Sequence, residues 1–121
     1  MPDPTLLKVA GYGSLVVAFT HAAAAKEFQN LRAFQELPNI AFTRSTVGWY
    51  QGSGFLILTA LLNLSWAQNP KSLDEPLQRS MAALLVLISW ASSAWYIRRG
   101  VKASGFLTAF AGVLQAWAAL Q

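Results

Sequence analysis

The residues of this chain that could carry chemistry are one histidine, two of its three tyrosines, and several amides, hydroxyls and indoles. His21 is the only histidine, and imidazole is the side chain that most readily exchanges a proton near neutral pH. The sequence therefore predicts acid–base catalysis, with His21 as general acid or base and Tyr50 or Tyr96 as proton donor. The residues predicted to surround a substrate are Trp49, Gln51, Ser92, Ser93, Trp95, Asn63 and Arg44.

Each of these assignments competes with a purely structural one. A histidine between helices can simply hydrogen-bond to the hydroxyl of Tyr96 or of a serine, and polar stripes on helices often serve packing. Arg44 is better explained as a solvated loop charge. No metal site is predicted, because His21 has no second histidine or buried carboxylate beside it. The chain has no cysteine, which excludes thiolate catalysis and iron–sulfur clusters, and no cofactor is predicted.

The elements that must position these residues are four apolar stretches with short polar connections. Residues 48–68 carry no charge and are numerous enough to cross a bilayer core of about 30 Å at about 1.5 Å per residue. Their glycines and polar side chains are typical of a membrane helix that packs against other helices. Hydrophobic residues make up 55% of the chain and charged residues 12%, a balance that favours a membrane protein over a water-soluble one.

The predicted fold is an all-α four-helix transmembrane bundle, with residues 1–121 forming a single integral membrane domain. Spans are predicted over about 5–25, 42–67, 76–97 and 101–120, and a segment lying at the membrane surface over about 26–37. The short connections after the second and third spans favour antiparallel neighbours. No cleaved signal peptide is expected, because Asp3 has the wrong charge for the start of one.

The basic residues predict an orientation. Of nine lysines and arginines, six lie on the side that holds the connections between spans one and two and between spans three and four: Lys26, Arg32, Arg44, Arg98, Arg99 and Lys102. The positive-inside rule then places these connections in the cytoplasm and both termini on the non-cytoplasmic side, in the endoplasmic reticulum if the source is eukaryotic. Nucleic acid is not a predicted partner. Binding it would need basic residues clustered on one water-exposed face, and a membrane-embedded chain is expected to have too little such surface.

One tetrapeptide recurs along the chain. Ser-Gly-Phe-Leu occupies residues 53–56 and again residues 104–107, and later alanine and tryptophan residues match at the same offset. The matches are consistent with a two-plus-two tandem duplication, and chance matching in a biased composition is the alternative.

In its size, its span pattern and the style of its segments GWYQGSGF and SWASSAWY, the chain resembles the small four-span integral membrane proteins of fungal genomes, some of which belong to natural-product pathways. The resemblance implies the four-helix fold and carries no catalytic signature.

Two functions fit the residues. One is a cofactor-independent enzyme, an isomerase or cyclase, acting on a lipophilic small molecule. The other is a non-enzymatic accessory subunit or small carrier that binds other membrane proteins through its Gly and Ala faces. The predicted partners are the bilayer and a lipophilic molecule or lipid, and a homo-oligomer is left open.

Overall fold

The computed structural model describes all 121 residues, and nearly all of them lie in helices. The α-helices are α1 Pro4–Gln29, α2 Arg32–Gln35, α3 Asn39–Gln68, α4 Pro76–Arg98 and α5 Lys102–Ala119, and a 3-10 helix, Pro70–Asp74, connects α3 to α4. The predicted all-α fold is confirmed, with four long helices close to the predicted ranges. The segment predicted over 26–37 is divided between the end of α1 and the short α2.

Local sequence explains where these helices begin and end. Asp3 caps α1, because its Oδ1 accepts hydrogen bonds from the backbone N–H groups of Thr5 and Leu6 at 2.9 and 3.1 Å. A side-chain cap of this kind stabilises a helix by about 1 kcal/mol. Helix α4 begins at Pro76, where a proline gives up no helical hydrogen bond. Gly100 ends it, with a φ of +79° that lies in the left-handed region favoured by glycine.

The long helices form two antiparallel hairpins, α1 with α3 and α4 with α5. A hydrophobic core joins the hairpins at the end that holds both chain termini and the 3-10 helix, here called the terminal end. Its members are Leu7, Trp66, Ala67, Leu73, Ala82, Leu85, Ala118 and Ala119. The opposite end, which holds α2 and the α4–α5 turn, is called the loop end. Residues at the loop end are buried mainly within one hairpin rather than between the two.

Hydrogen bonds between the hairpins also lie at the terminal end. The side chains of Asn63 and Gln115 bond to each other twice, from Asn63 Nδ2 to Gln115 Oε1 at 2.8 Å and from Gln115 Nε2 to Asn63 Oδ1 at 3.0 Å. Asn63 is fully buried and Gln115 is 4% exposed. The Trp66 indole donates to Gln78 Oε1 at 2.9 Å. Because buried amides need partners, these bonds fix how the hairpins meet.

Two of the four long helices, α1 and α4, are long and apolar enough to cross a membrane. Only 22% of the most apolar window of each is buried within the molecule, whereas the core helix of a water-soluble protein is mostly buried. Helices α3 and α5 do not reach that hydropathy. Of the four predicted spans, two are therefore supported by length and hydropathy. Polar residues lower the average, among them Asn63 on α3 and Gln115 on α5.

The two copies of the internal repeat lie in different hairpins, but the matched residues have different surroundings. Trp66 is 1% exposed in the core, while its counterpart Trp117 is 64% exposed. Gly54 borders open space, while its counterpart Gly105 packs against Ile97. The matched residues therefore make different packing contacts, and the duplication stays a prediction.

Candidate functional site

His21 is held against α3 by two side chains of that helix. Its Nδ1 lies 2.8 Å from the buried hydroxyl of Ser53. Its ring stacks on the indole of Trp49, with centroids 3.9 Å apart and an angle of 11° between the planes. The Trp49 indole Nε1 also donates to the backbone carbonyl of His21 at 2.8 Å. The position and the orientation of the imidazole are therefore both set by α3.

Small residues make room for the ring between the two helices. A Cβ atom added at Gly52 would lie 3.1 Å from His21 Cε1, which is closer than most such contacts. On α1, Ala18 and Ala25 are buried on either side of His21 at helical spacing. Together these small residues let α1 and α3 approach closely enough for the imidazole to reach Ser53.

An aromatic cluster continues from Trp49 towards the loop end. The ring of Phe28 meets the Trp49 indole edge-on at 4.7 Å, and Phe34 of α2 meets Phe28 edge-on at 5.2 Å. Phe42 lies 5.2 Å from Phe34. Edge-to-face pairs at these distances stabilise packing beyond the area they bury. The cluster fixes the α1–α3 connection and covers the loop-end side of the Trp49 indole.

The other predicted catalytic residues lie apart from His21. Tyr50 is 48% exposed, and its hydroxyl donates to Gln29 Oε1 at 3.4 Å. Tyr96 lies on α4, in the other hairpin, and no hydrogen bond joins either tyrosine to His21. The structure therefore brings His21 together with Trp49 and separates it from both predicted proton donors.

The remaining predicted site residues lie in four different places. Ser92 and Trp95 line an open groove on α4 together with Ala91 and Tyr96. Ser93 is buried inside the second hairpin and donates to the Gly105 carbonyl at 2.6 Å. Asn63 belongs to the amide pair at the terminal end, and Gln51 and Arg44 are exposed.

Comparison with protein-family models, with curated proteins and with solved structures finds no match. Function is therefore inferred from the geometry of the residues around His21.

A serine was one of the partners that the sequence allowed for His21, but Ser53 was not singled out among the serines. Trp49 and Ser53 are four residues apart and so share one face of α3, a spacing that marks them as a pair once Trp49 is known to face α1. With Nδ1 occupied by Ser53, the second ring nitrogen, Nε2, has no hydrogen bond within the molecule. A Ser53 hydroxyl that donates to Nδ1 leaves the ring proton on Nε2, and the opposite arrangement leaves Nε2 as a base. The pair can therefore support either direction of proton transfer at Nε2.

Proposed function

We propose that the chain is an integral membrane protein in which all four long helices span the bilayer. Helices α3 and α5 have a lower mean hydropathy than α1 and α4 over their most apolar stretches. Some of the polar residues that lower it face inward, away from the surface that would contact lipid. On α3, Ser53 and Asn63 are buried and hydrogen-bonded, and on α5 so is Gln115. The outward faces of both helices are apolar and exposed, at Ile57, Leu58, Leu61, Phe106, Leu107, Phe110 and Val113. An apolar surface of this extent is typical of contact with lipid.

Single cysteines test this proposal, because the native chain has none. Four spans place Ala33→Cys and Ala103→Cys on one side of the membrane and Asp74→Cys and Gln121→Cys on the other. All four positions are exposed. A membrane-impermeant maleimide added to intact cells is expected to label only the second pair, because the loop end carries six of the basic residues and faces the cytoplasm. If only α1 and α4 crossed, Ala33→Cys and Asp74→Cys would share a side, which contradicts four spans.

We propose further that the protein is a cofactor-independent enzyme of isomerase type that acts on a lipophilic small molecule. The observation that supports this is the fixed imidazole of His21, held by Ser53 and Trp49 with its Nε2 atom unpaired. A base held in one orientation by a second group is the arrangement that general acid–base catalysis needs. His21 Nε2 takes a proton from one carbon of the substrate and returns a proton to another. A double bond moves, and no electrons enter or leave.

His21→Ala is expected to abolish this reaction. The test incubates the purified protein, in lipid nanodiscs made with D₂O buffer, with a total lipid extract of the source membranes. Mass spectrometry then follows the appearance of deuterium in isomerised lipids. Wild-type protein is expected to incorporate deuterium with an activity limb between about pH 5 and 8, where histidine titrates, and His21→Ala to incorporate none.

Two further variants define the role of the imidazole. Ser53→Ala is expected to reduce the rate about 10- to 100-fold, as general-base geometry loosens, and to leave insertion unchanged. Thr20→Ala is the matched control, because Thr20 neighbours His21 but is exposed and bonds only to the Val17 carbonyl of its own helix. A correctly inserted His21→Ala protein with full activity and an unchanged pH profile would overturn the proposed chemistry.

Binding to other membrane proteins is the second proposal, and one observation favours it. Gly48 and Gly54 border open space on α3, so a partner helix can approach the backbone there, as small residues in membrane helices allow. Other glycines, such as Gly11 and Gly112, are already occupied by contacts within a hairpin. A protein that co-purifies at a fixed ratio in mild detergent would favour this function over catalysis.

A further inference from the structure

The loop end of α4 carries an open groove that the proposed reaction does not use. It is a shallow depression on one side of α4, lined by Ala91, Ser92, Trp95 and Tyr96. Trp95 is 66% exposed although it is a large apolar ring. The hydroxyls of Ser92 and Tyr96 make no hydrogen bond within the molecule. The groove thus presents an apolar surface with two free hydroxyl groups beside it.

Two arginines lie one helical turn beyond this groove. Arg99, the residue that caps the end of α4, follows Trp95 by four residues and Tyr96 by three, a spacing that places it over the same side of the helix. Arg98 follows Trp95 by three residues. The distance along the helix from Ala91 to Arg99 is about 12 Å, at about 1.5 Å per residue. The groove and the guanidinium groups therefore form one surface that runs from apolar to cationic towards the loop end.

These arginines have no counter-charge within their hairpin. Helices α4 and α5 contain no acidic residue, and Lys102 adds a third cation beside the turn. The one ion pair in the molecule joins Arg32 to Glu36 at 2.6 Å on the other hairpin. The loop end as a whole carries six basic and two acidic residues, against three of each at the terminal end. The surface at Arg98 and Arg99 therefore favours an anion.

We propose that this surface binds an acidic phospholipid of the surrounding leaflet, an inference that rests on the proposed membrane embedding but not on catalysis. Arg98 and Arg99 contact the phosphate, since guanidinium groups bind phosphate oxygens through paired hydrogen bonds. The hydroxyls of Ser92 and Tyr96 face the polar glycerol region. An acyl chain lies along Ala91 and Trp95, in the groove. Indole rings are enriched at this depth of a bilayer, and basic groups at the cytoplasmic face select anionic lipids.

Binding is tested with the full chain, stripped of lipid in a neutral detergent and titrated with dioctanoyl phosphatidylglycerol or dioctanoyl phosphatidylcholine. Native mass spectrometry counts the bound lipids, and thermal unfolding reports stabilisation. The wild-type protein is expected to bind the phosphatidylglycerol at least tenfold more tightly than the phosphatidylcholine. Arg98→Gln/Arg99→Gln is expected to lose about tenfold in affinity for the acidic lipid and nothing for the neutral one, as a charge-assisted contact predicts.

The matched control is Lys26→Gln/Arg44→Gln, which removes the same charge from exposed positions at the loop end of the other hairpin. It is expected to bind the acidic lipid as the wild type does. Equal losses in the two double variants would show only a general charge effect and overturn the site. Trp95→Ala is expected to weaken the binding of the acidic lipid but not the binding of inorganic phosphate. If inorganic phosphate competed for the wild-type protein as well as the lipid does, the proposed acyl-chain contact would be overturned.

The result is separable from the proposals on which it builds. His21→Ala is expected to bind the acidic lipid as the wild type does, so loss of catalysis leaves the lipid site intact. If the single-cysteine variants show four spans but the wild-type protein has no preference for the acidic lipid, the lipid site alone is overturned. Labelling that contradicts membrane embedding overturns both.

Discussion

Asn63→Leu is expected to lower the free energy of unfolding by about 1–3 kcal/mol, because it leaves the buried amide of Gln115 without a partner. The side-chain bonds between these residues are the buried polar link between the two hairpins, at 2.8 and 3.0 Å. Asn63 Nδ2 also donates to the Thr59 carbonyl of its own helix at 2.9 Å. The substitution therefore affects how α3 meets α5 far more than how α3 forms. Unfolding in a mild detergent, followed by circular dichroism, measures the change.

The double variant Asn63→Leu/Gln115→Leu is expected to be more stable than the sum of the single losses predicts. Replacing both partners of a buried hydrogen bond with apolar groups removes the unpaired group that makes each single change costly. A double-mutant cycle gives the coupling energy directly. Gln51→Leu is the matched control, since Gln51 is an exposed amide on the same helix, and it is expected to change stability little. Additive losses in the cycle would show that the two amides do not act as a pair.

The helices of this protein were predictable because local sequence signals mark where they begin and end. Pro38, Pro76 and Gly100 act on the backbone next to them whatever the rest of the fold does, and the apolar runs between them set the helix lengths. The 3-10 helix over Pro70–Asp74 was not predicted, because five residues between two helices carry no periodic pattern.

The number of spans was harder to predict because mean hydropathy averages over all sides of a helix. Helix α3 combines a buried polar side at Asn63 with an exposed apolar side at Leu58 and Leu61. The average over these residues depends on composition alone, whereas the suitability of α3 for lipid depends on which side each residue occupies. That side is set by packing between helices, which a single sequence does not reveal.

The candidate site shows the same limit. His21, Tyr50 and Tyr96 all lie in the loop-end halves of their helices, which can be read from the sequence because depth follows from position along a helix. The direction in which each side chain points depends on how each helix is rotated about its axis. Rotation of α3 against α1 brings Ser53 to His21, while Tyr96 lines the groove on α4. Sequence could therefore name the histidine and the indole beside it but not the hydroxyl that holds it.

Gly11→Leu is expected to destabilise the first hairpin by about 1–3 kcal/mol through overpacking. A Cβ atom at this position would lie 2.8 Å from Leu64 Cγ and 3.2 Å from the Ala60 carbonyl oxygen of α3. The Leu64 side chain can move, but the backbone carbonyl cannot without separating α1 from α3. Because Gly11 and Ala60 are both buried, water or lipid does not already fill the contact. The separation would also pull His21 on α1 away from Ser53 on α3, so the variant is expected to lose the proposed catalytic activity as well as stability.

Gly13→Leu separates packing from helix propensity. Gly13 lies two residues along the same helix, and a Cβ there would meet nothing within 4 Å. Both substitutions replace glycine inside a helix and so share the gain of nearly 1 kcal/mol that a better helix former provides. The difference between their unfolding free energies, measured in the same detergent, therefore isolates the contact between α1 and α3. Gly13→Leu is expected to equal or exceed the wild type in stability. Equal stability of the two variants would show that α1 does not pack on α3 through Gly11.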